Sequence, residues 1–190
     1  MPEDTYHSFD DLKKHEKLNN DYNISIRDVG SPITIIAPHG GKIEPRTSDI
    51  AKNIAKSNYN CYCFEGIKKR NNASLHITSH KFDEPHALNL IKRSKIVISI
   101  HACTGNDGLV YLGGLDTGLI KAIEFELKNK GIHVSDDNHT FLGLNPHNIC
   151  NRGTTQKGVQ LEIMRGLRDD SEKFPLISEG VRAALLKINT

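Results

Sequence analysis

The sequence predicts an α/β fold: a single-domain, three-layer sandwich with helices on both faces of a mixed, mostly parallel sheet. Three observations predict it. The apolar runs at residues 33–37, 96–100 and 159–163 are short and nearly continuous, as strands buried in a sheet interior require. Between such runs lie segments of about ten residues with apolar side chains at helical spacing, so strands and helices alternate. The 190 residues, 37% of them hydrophobic, suit one domain with a sizeable core. No internal repeat or low-complexity tract divides the chain, and one domain over 1–190, with its core at about 22–188, is expected.

Taken in order, Ser8 followed by Asp10 and Asp11 marks a capped helix over 8–17. Ile24 and Ile26 alternate along a strand at 22–27, and Gly30-Ser31-Pro32 turns the chain into the buried strand 33–37. Ile50, Ala51, Ile54 and Ala55 fall on one face of a helix over 48–56, with Thr47 or Ser48 as its cap. A strand over 59–65, a basic turn and a further strand over 75–78 follow. Pro85 opens a helix that runs to Ser94, proline being well tolerated in a first turn. After the strand 96–100, a glycine-rich segment at 105–118 holds the strand-like stretch 109–112. Leu119, Ile120, Ile123 and Leu127 line a helix over 118–130, and 133–135 is a short strand. Residues 138–156 are polar and read as loops anchored by Phe141 and Leu142; the strand 159–163 and a helix over 179–188 come last.

Composition excludes several classes. A net charge of +2 is too small to argue for nucleic acid. The clusters Lys68-Lys69-Arg70 and Lys92-Arg93 read as solvated faces, though they could help attract an acidic substrate. A mean hydropathy of -0.46 and the lack of a long apolar run argue against a transmembrane helix and a membrane partner. Met1-Pro2-Glu3-Asp4-Thr5 is polar and acidic, unlike a secretory signal, so synthesis in the cytoplasm is expected, with any outside action following lysis or an unusual exit. A monomer is expected. Cys61, Cys63, Cys103 and Cys150 show neither CxxC nor disulfide-rich spacing and read as small buried hydrophobes of a reduced protein.

Pro38-His39-Gly40-Gly41-Lys42-Ile43-Glu44 carries the chemistry. It continues the run 33–37 into a glycine turn that bears an imidazole and, five residues on, a carboxylate. The run 96–100 also ends in a histidine, His101, and ligands of open α/β sheets gather beyond the carboxyl ends of strands. Catalytic zinc takes three imidazole or carboxylate ligands and keeps one position open; His39, Glu44 and His101 would supply such a set. The two glycines let the backbone curl so that Glu44 can point back toward His39. Such chemistry still needs a carboxylate to move a proton. Glu162, between Leu161 and Ile163 in a strand centre, is the candidate, because an unpaired carboxylate there is costly.

Plainer readings stand beside these. His39 could be a hydrogen-bonded histidine, Glu44 a partner of Arg46, and Glu162 a partner of Arg165 or Arg46. The H-x4-E interval lacks the specificity of HExxH. A thiol mechanism through Cys103 is disfavoured, because two residues from His101 on one short segment a nucleophile and its base do not face each other.

Four segments, 38–45, 78–85, 99–101 and 158–162, occur in an order that resembles the poly-γ-glutamate hydrolases of phages and related bacterial proteins, with the likeness running over 22–186. The resemblance implies a zinc carboxypeptidase-like fold, one zinc per chain on His39, Glu44 and His101, and Glu162 as general base and acid. Zinc carboxypeptidases space their first two ligands as H-x-x-E; the interval here is longer, so the hydrolase likeness is the better guide. The implied substrate is a polyanion of glutamates joined through side-chain carboxylates, cleaved at γ-glutamyl amide bonds. Each unit leaves a free α-carboxylate, so guanidinium or ammonium groups should bind it. Arg46 is the first candidate for that contact or for a developing oxyanion, followed by Arg152 and Arg165, each with an alternative as a surface or structural arginine. His80 borders the expected cleft, whereas Asp83 and Glu84 read as complements to the N-terminus of the helix opened by Pro85. A small-substrate amidohydrolase acting on N-acyl or N-formyl glutamate would need a similar set. From another class comes a non-catalytic α/β binding module.

Overall fold

The computed structural model describes residues 3–135 and 140–188. Seven strands form one sheet in the order β1-β3-β2-β4-β7-β5-β6. They are β1 (Tyr22–Arg27), β2 (Ile33–Gly41), β3 (Asn60–Gly66), β4 (Ile96–Cys103), β5 (Leu109–Gly113), β6 (His133–Val134) and β7 (Val159–Met164). β3, β2, β4 and β7 run parallel to one another, while β1 on β3 and β5 on β7 are antiparallel. The expected mixed, mostly parallel sheet is therefore present. Its central strands are buried along nearly their whole length, which is why they read as continuous apolar runs.

Helices α1 (Phe9–His15), α2 (Thr47–Ala55), α3 (Pro85–Ile91), α4 (Thr117–Asn129), α5 (Arg165–Asp169) and α6 (Lys173–Ile188) divide between the two faces. On one, Ile35, Cys61, Cys63, Ile98 and Leu161 pack against α2, α4 and α6 through Ile50, Ile54, Ile123, Leu127, Ile177 and Val181. On the other, Ile36, Tyr62, Phe64 and Val97 meet α1 and α3 through Phe9, Leu12, Leu90 and Ile91. Burying each such side chain contributes roughly 1.5–3 kcal/mol. Among the described residues no helix is long and apolar enough to cross a membrane.

Several elements differ from the sequence reading. β2 and β4 extend through His39 and His101, so these histidines sit within the strands rather than just past them. Residues 75–78 are not a strand: Asn72–Leu75 is a 3-10 helix, and the Ile77 carbonyl that a ladder would use accepts from His39 instead. Neither Thr47 nor Ser48 caps α2. Arg46, at φ +75°, occupies that position without a side-chain cap, and the Thr47 hydroxyl donates to the Glu44 carbonyl at 2.8 Å. α6 begins at Lys173 rather than 179, with Pro175 in the first turn, where a missing N–H leaves no helical bond unmade. The Ser8 cap is present, accepting from the Asp11 N–H at 3.1 Å. Of the loop expected over 138–156, residues 138 and 139 lie outside the described residues.

The turn after β2 depends on glycine. Gly41 has φ +63°, and a Cβ there would lie 2.5 Å from the Gly66 carbonyl oxygen. Left-handed backbone costs an L-residue about 1–2 kcal/mol, and the clash with backbone adds to it. Gly41→Ala should therefore lower stability by about 2 kcal/mol or more, read as a shift of the urea midpoint at constant slope.

Candidate active site

The register between β2 and β3 shifts between Ala37 and Gly40, an irregularity that re-aims side chains at a strand end. His39 lies within it. The Glu44 N–H donates to the His39 carbonyl at 2.8 Å, closing the turn, and the Ala102 N–H donates to Glu44 Oε2 at 2.9 Å. These bonds bring Glu44 back over β4, beside His101. His39 Nδ1 is 3.1 Å from Glu44 Oε1 and 3.2 Å from His101 Nδ1; His101 Nδ1 is 3.8 Å from Glu44 Oε2.

Second partners fix the rings. His39 Nε2 donates to the Ile77 carbonyl at 2.8 Å; a carbonyl only accepts, so in the neutral ring Nδ1 carries the lone pair. His101 Nε2 lies 3.2 Å from Ser99 Oγ and 3.3 Å from Ser79 Oγ. Burial pushes the His101 pKa down to about 3 against the pull of Glu44, so its ring is neutral at neutral pH. For His39, burial opposes protonation, but the adjacent Glu44 carboxylate outweighs it and raises the pKa. The cluster draws positive charge.

His39, Glu44 and His101 offer ligand atoms all within 4.8 Å of one another and could hold a metal ion. A tetrahedral zinc with ligands about 2.0–2.1 Å away has ligand–ligand edges of roughly 3.3–3.4 Å. His39 Nδ1 lies 3.1 Å from Glu44 Oε1 and 3.2 Å from His101 Nδ1, close to that value, while His101 Nδ1 lies 3.8 Å from the other Glu44 oxygen, Oε2. Two imidazoles and a carboxylate are also the donor types zinc takes in catalytic sites, so the residues fit the ion. The ring bonds to Ile77, Ser99 and Ser79 are the outer contacts such ligands require.

Glu162 stands opposite His101 in the β4–β7 register and is 8% exposed. Burial, helped by the Glu44 charge, pushes its pKa well above the usual carboxylate range. Neither arginine named as a possible partner pairs with it: Arg165 Nε is bound to Asp169 at 3.2 Å, and the Arg46 guanidinium lies 3.7 Å from the centre of the Phe174 ring. Glu162 lines a cavity of about 200 Å³ with Ser79, His80, Asn148 and Gln160.

A second cavity, of about 300 Å³, is lined by Glu44 with Ala102, Cys103, Thr104, Arg165 and Arg168. Arg165 thus borders the cavity that Glu44 lines, and His80 borders the one that Glu162 lines. Arg46 and Arg152 belong to the walls of neither, for physical reasons: Arg46 is stacked on Phe174, and Arg152 donates to the Phe82 carbonyl. Glu84 caps α3 through the Ala87 N–H at 2.8 Å, and Asp83 accepts from the Phe9 N–H, so both serve the scaffold. Burial, with Glu162 nearby, raises the Cys103 pKa to about 11, which keeps the thiol protonated.

Sequence reasoning missed His76, Asp4 and Arg168. The His76 ring lies 4.0 Å from that of His39, centre to centre, with Nε2 4.0 Å from Glu44 Oε1. Its Nδ1 is 2.8 Å from Asp4 Oδ1, and Asp4 Oδ2 accepts from the Thr78 N–H at 2.9 Å. A histidine between the apolar Leu75 and Ile77 was the available signal; for Asp4 the local sequence offers none.

Residues 6–174 match the sequence model of a family described as poly-gamma-glutamate hydrolase. This chain belongs to that family. It is 36% identical over 168 residues to the UPF0714 protein YndL of Bacillus subtilis (strain 168), covering 87% of this chain and 66% of YndL. It is 39% identical over 163 residues to the SPbeta prophage-derived UPF0714 protein YoqZ of the same strain, covering 84% of this chain and 58% of YoqZ. The chain therefore spans somewhat less than two thirds of these relatives' lengths. Among solved structures, a bacteriophage poly-gamma-glutamate hydrolase superposes with a TM-score of 0.94 at 27% identity, covering 98% of this chain and 99% of that one. The zinc-free apo form of YndL superposes with a TM-score of 0.92 at 32% identity, covering 99% of this chain and all (100%) of that one.

Asp4→Ala removes the acceptor of the Thr78 N–H and of the His76 ring. Both donors are part-buried, and losing such a hydrogen bond costs about 0.5–1.5 kcal/mol, so the variant should unfold at correspondingly lower urea.

Proposed function

We propose that this chain is a zinc-dependent hydrolase that cleaves γ-glutamyl amide bonds in poly-γ-glutamate, with one zinc on His39, Glu44 and His101 and with Glu162 as general base and acid. The observation that carries this reading is the convergence of two imidazole nitrogens and a carboxylate beside a buried glutamate, in a member of this family. When bound, zinc supplies a Lewis acid that polarises the scissile carbonyl and lowers the pKa of its water to about 7.

The chain's own groups do the rest. The Ile77 carbonyl keeps the His39 proton on Nε2 and its Nδ1 free to ligate. Glu162, in its ionised form and made a stronger base by its raised pKa, accepts a proton from the attacking water and returns it to the leaving amine. Its pocket is shared with Asn148, Gln160 and His80, whose polar groups can orient the peptide unit. Arg165, largely exposed at the rim of the Glu44 cavity, meets a substrate α-carboxylate and can leave Asp169 to do so, because an exposed pair of this kind holds only about 0.3–0.5 kcal/mol. Arg46 is stacked on Phe174 in this structure and would have to leave that ring to reach substrate.

The test follows the chain length of purified poly-γ-glutamate during incubation with the protein. Chelator should abolish depolymerisation and added zinc restore it; activity that persists in chelator contradicts the metal mechanism. Glu162→Gln should retain zinc and lose about 10²–10⁴-fold in turnover; near-normal turnover would reassign the base. Hydrolysis of N-formylglutamate with the polymer left intact would transfer the reading to a small amide substrate.

A further inference from the structure

Arg168 has no role in the chemistry above, yet it is more buried than any other arginine at the site, at 5% exposure. It lies in α5, the five-residue helix that follows β7 directly. Its Nε donates to the Ile163 carbonyl at 3.0 Å, one terminal nitrogen donates to the Pro45 carbonyl, and the other donates to the Cys103 carbonyl at 3.4 Å. The three acceptors belong to three separate segments, and each sits beside a residue of the proposed machinery. Pro45 follows Glu44, Ile163 follows Glu162, and Cys103 lies two residues past His101 on β4.

Burying a cation costs free energy unless its donors are matched. Burial does draw the Arg168 pKa down, with the Glu44 charge opposing the shift. All three of these partners are backbone carbonyls, so the hydrogen bonds of this side chain serve the backbone rather than a counter-ion. A planar fork of fixed donors suits that task; a flexible ammonium on a point does not. Arg165, three residues earlier, makes the contrast: it is exposed and bound to Asp169 within its own helix.

We propose that Arg168 is a positioning residue for the metal site, its guanidinium tying the carbonyls of Pro45, Cys103 and Ile163 together so that Glu44, His101 and Glu162 hold their relative places. This rests on the metal reading of the preceding subsection. Metal ligands tolerate little misplacement, and losing an outer contact of a zinc site typically weakens binding by about 10–100-fold. The effect should therefore appear in zinc affinity, before any substrate is added.

The experiment measures the zinc dissociation constant of the full chain by competition with a chromophoric chelator, alongside urea unfolding of the metal-free protein. Arg168→Lys and Arg168→Gln should each bind zinc about 10–100-fold more weakly than wild type. Arg182→Ala is the control: Arg182 ties α6 to the end of α2 through the Ile54 carbonyl and Asn58, away from the site, so its loss lowers stability and leaves zinc affinity unchanged. Should Arg168→Gln fail to fold, Arg168→Lys decides. Wild-type affinity in Arg168→Lys overturns the clamp, because charge alone would then suffice. An equal loss in Arg182→Ala overturns it too, by making the effect one of general stability. A wild-type chain that binds no zinc removes the metal reading and the clamp with it, whereas one that binds zinc but leaves the polymer intact refutes only the substrate.

Discussion

The site depends on one constraint: two buried imidazoles face each other through their Nδ1 atoms at 3.2 Å, with a carboxylate oxygen 3.1 Å from one of them. Three acceptors brought this close in a buried place repel unless a proton or a cation lies among them. The surrounding fold is arranged around that demand. The Ile77 carbonyl claims the other nitrogen of His39, two serine hydroxyls flank the other nitrogen of His101, and the Ala102 N–H holds the second oxygen of Glu44. The Ile77 contact leaves the Nδ1 lone pair of the neutral His39 ring facing inward.

The sheet supplies these parts from adjacent parallel strands. β2 carries His39, β4 carries His101 and β7 carries Glu162, in neighbouring positions of the order β2-β4-β7. Parallel neighbours deliver their carboxyl ends to one edge, and that edge is where α/β sheets gather ligands. The register irregularity at 37–40 and the glycine turn then return Glu44 to the same edge. Glu162 shares the space with Glu44, whose negative charge adds to burial in holding the Glu162 proton. Positive charge held by Glu44 and the imidazoles would oppose that effect, so the proposed ligand set and the proposed base would be electrically coupled.

Much of this was legible in the sequence because strand runs and their terminal residues are local signals. The runs at 33–37, 96–100 and 159–163 placed His39, His101 and Glu162 on a common sheet, and the glycines marked the turn that brings in Glu44. What escaped were contacts made across long sequence separations. The stretch around His76 has the pattern of a strand, because alternation about Ile77 looks the same whether a backbone carbonyl joins a ladder or serves a ring. Asp4 reaches His76 across 72 positions and Arg168 reaches Pro45 across 123; no local pattern encodes either. Arg46, two residues from Glu44 and so an obvious choice in sequence, is turned by its left-handed backbone toward Phe174 on α6.

The central claim concerns which atoms hold the ion, and zinc-edge X-ray absorption of the zinc-loaded protein addresses it most directly. The account predicts a shell of nitrogen and oxygen scatterers at about 2.0–2.2 Å, with the multiple-scattering signature of two imidazoles and no sulfur shell. A sulfur shell at about 2.3 Å, or a spectrum with no imidazole contribution, would contradict it.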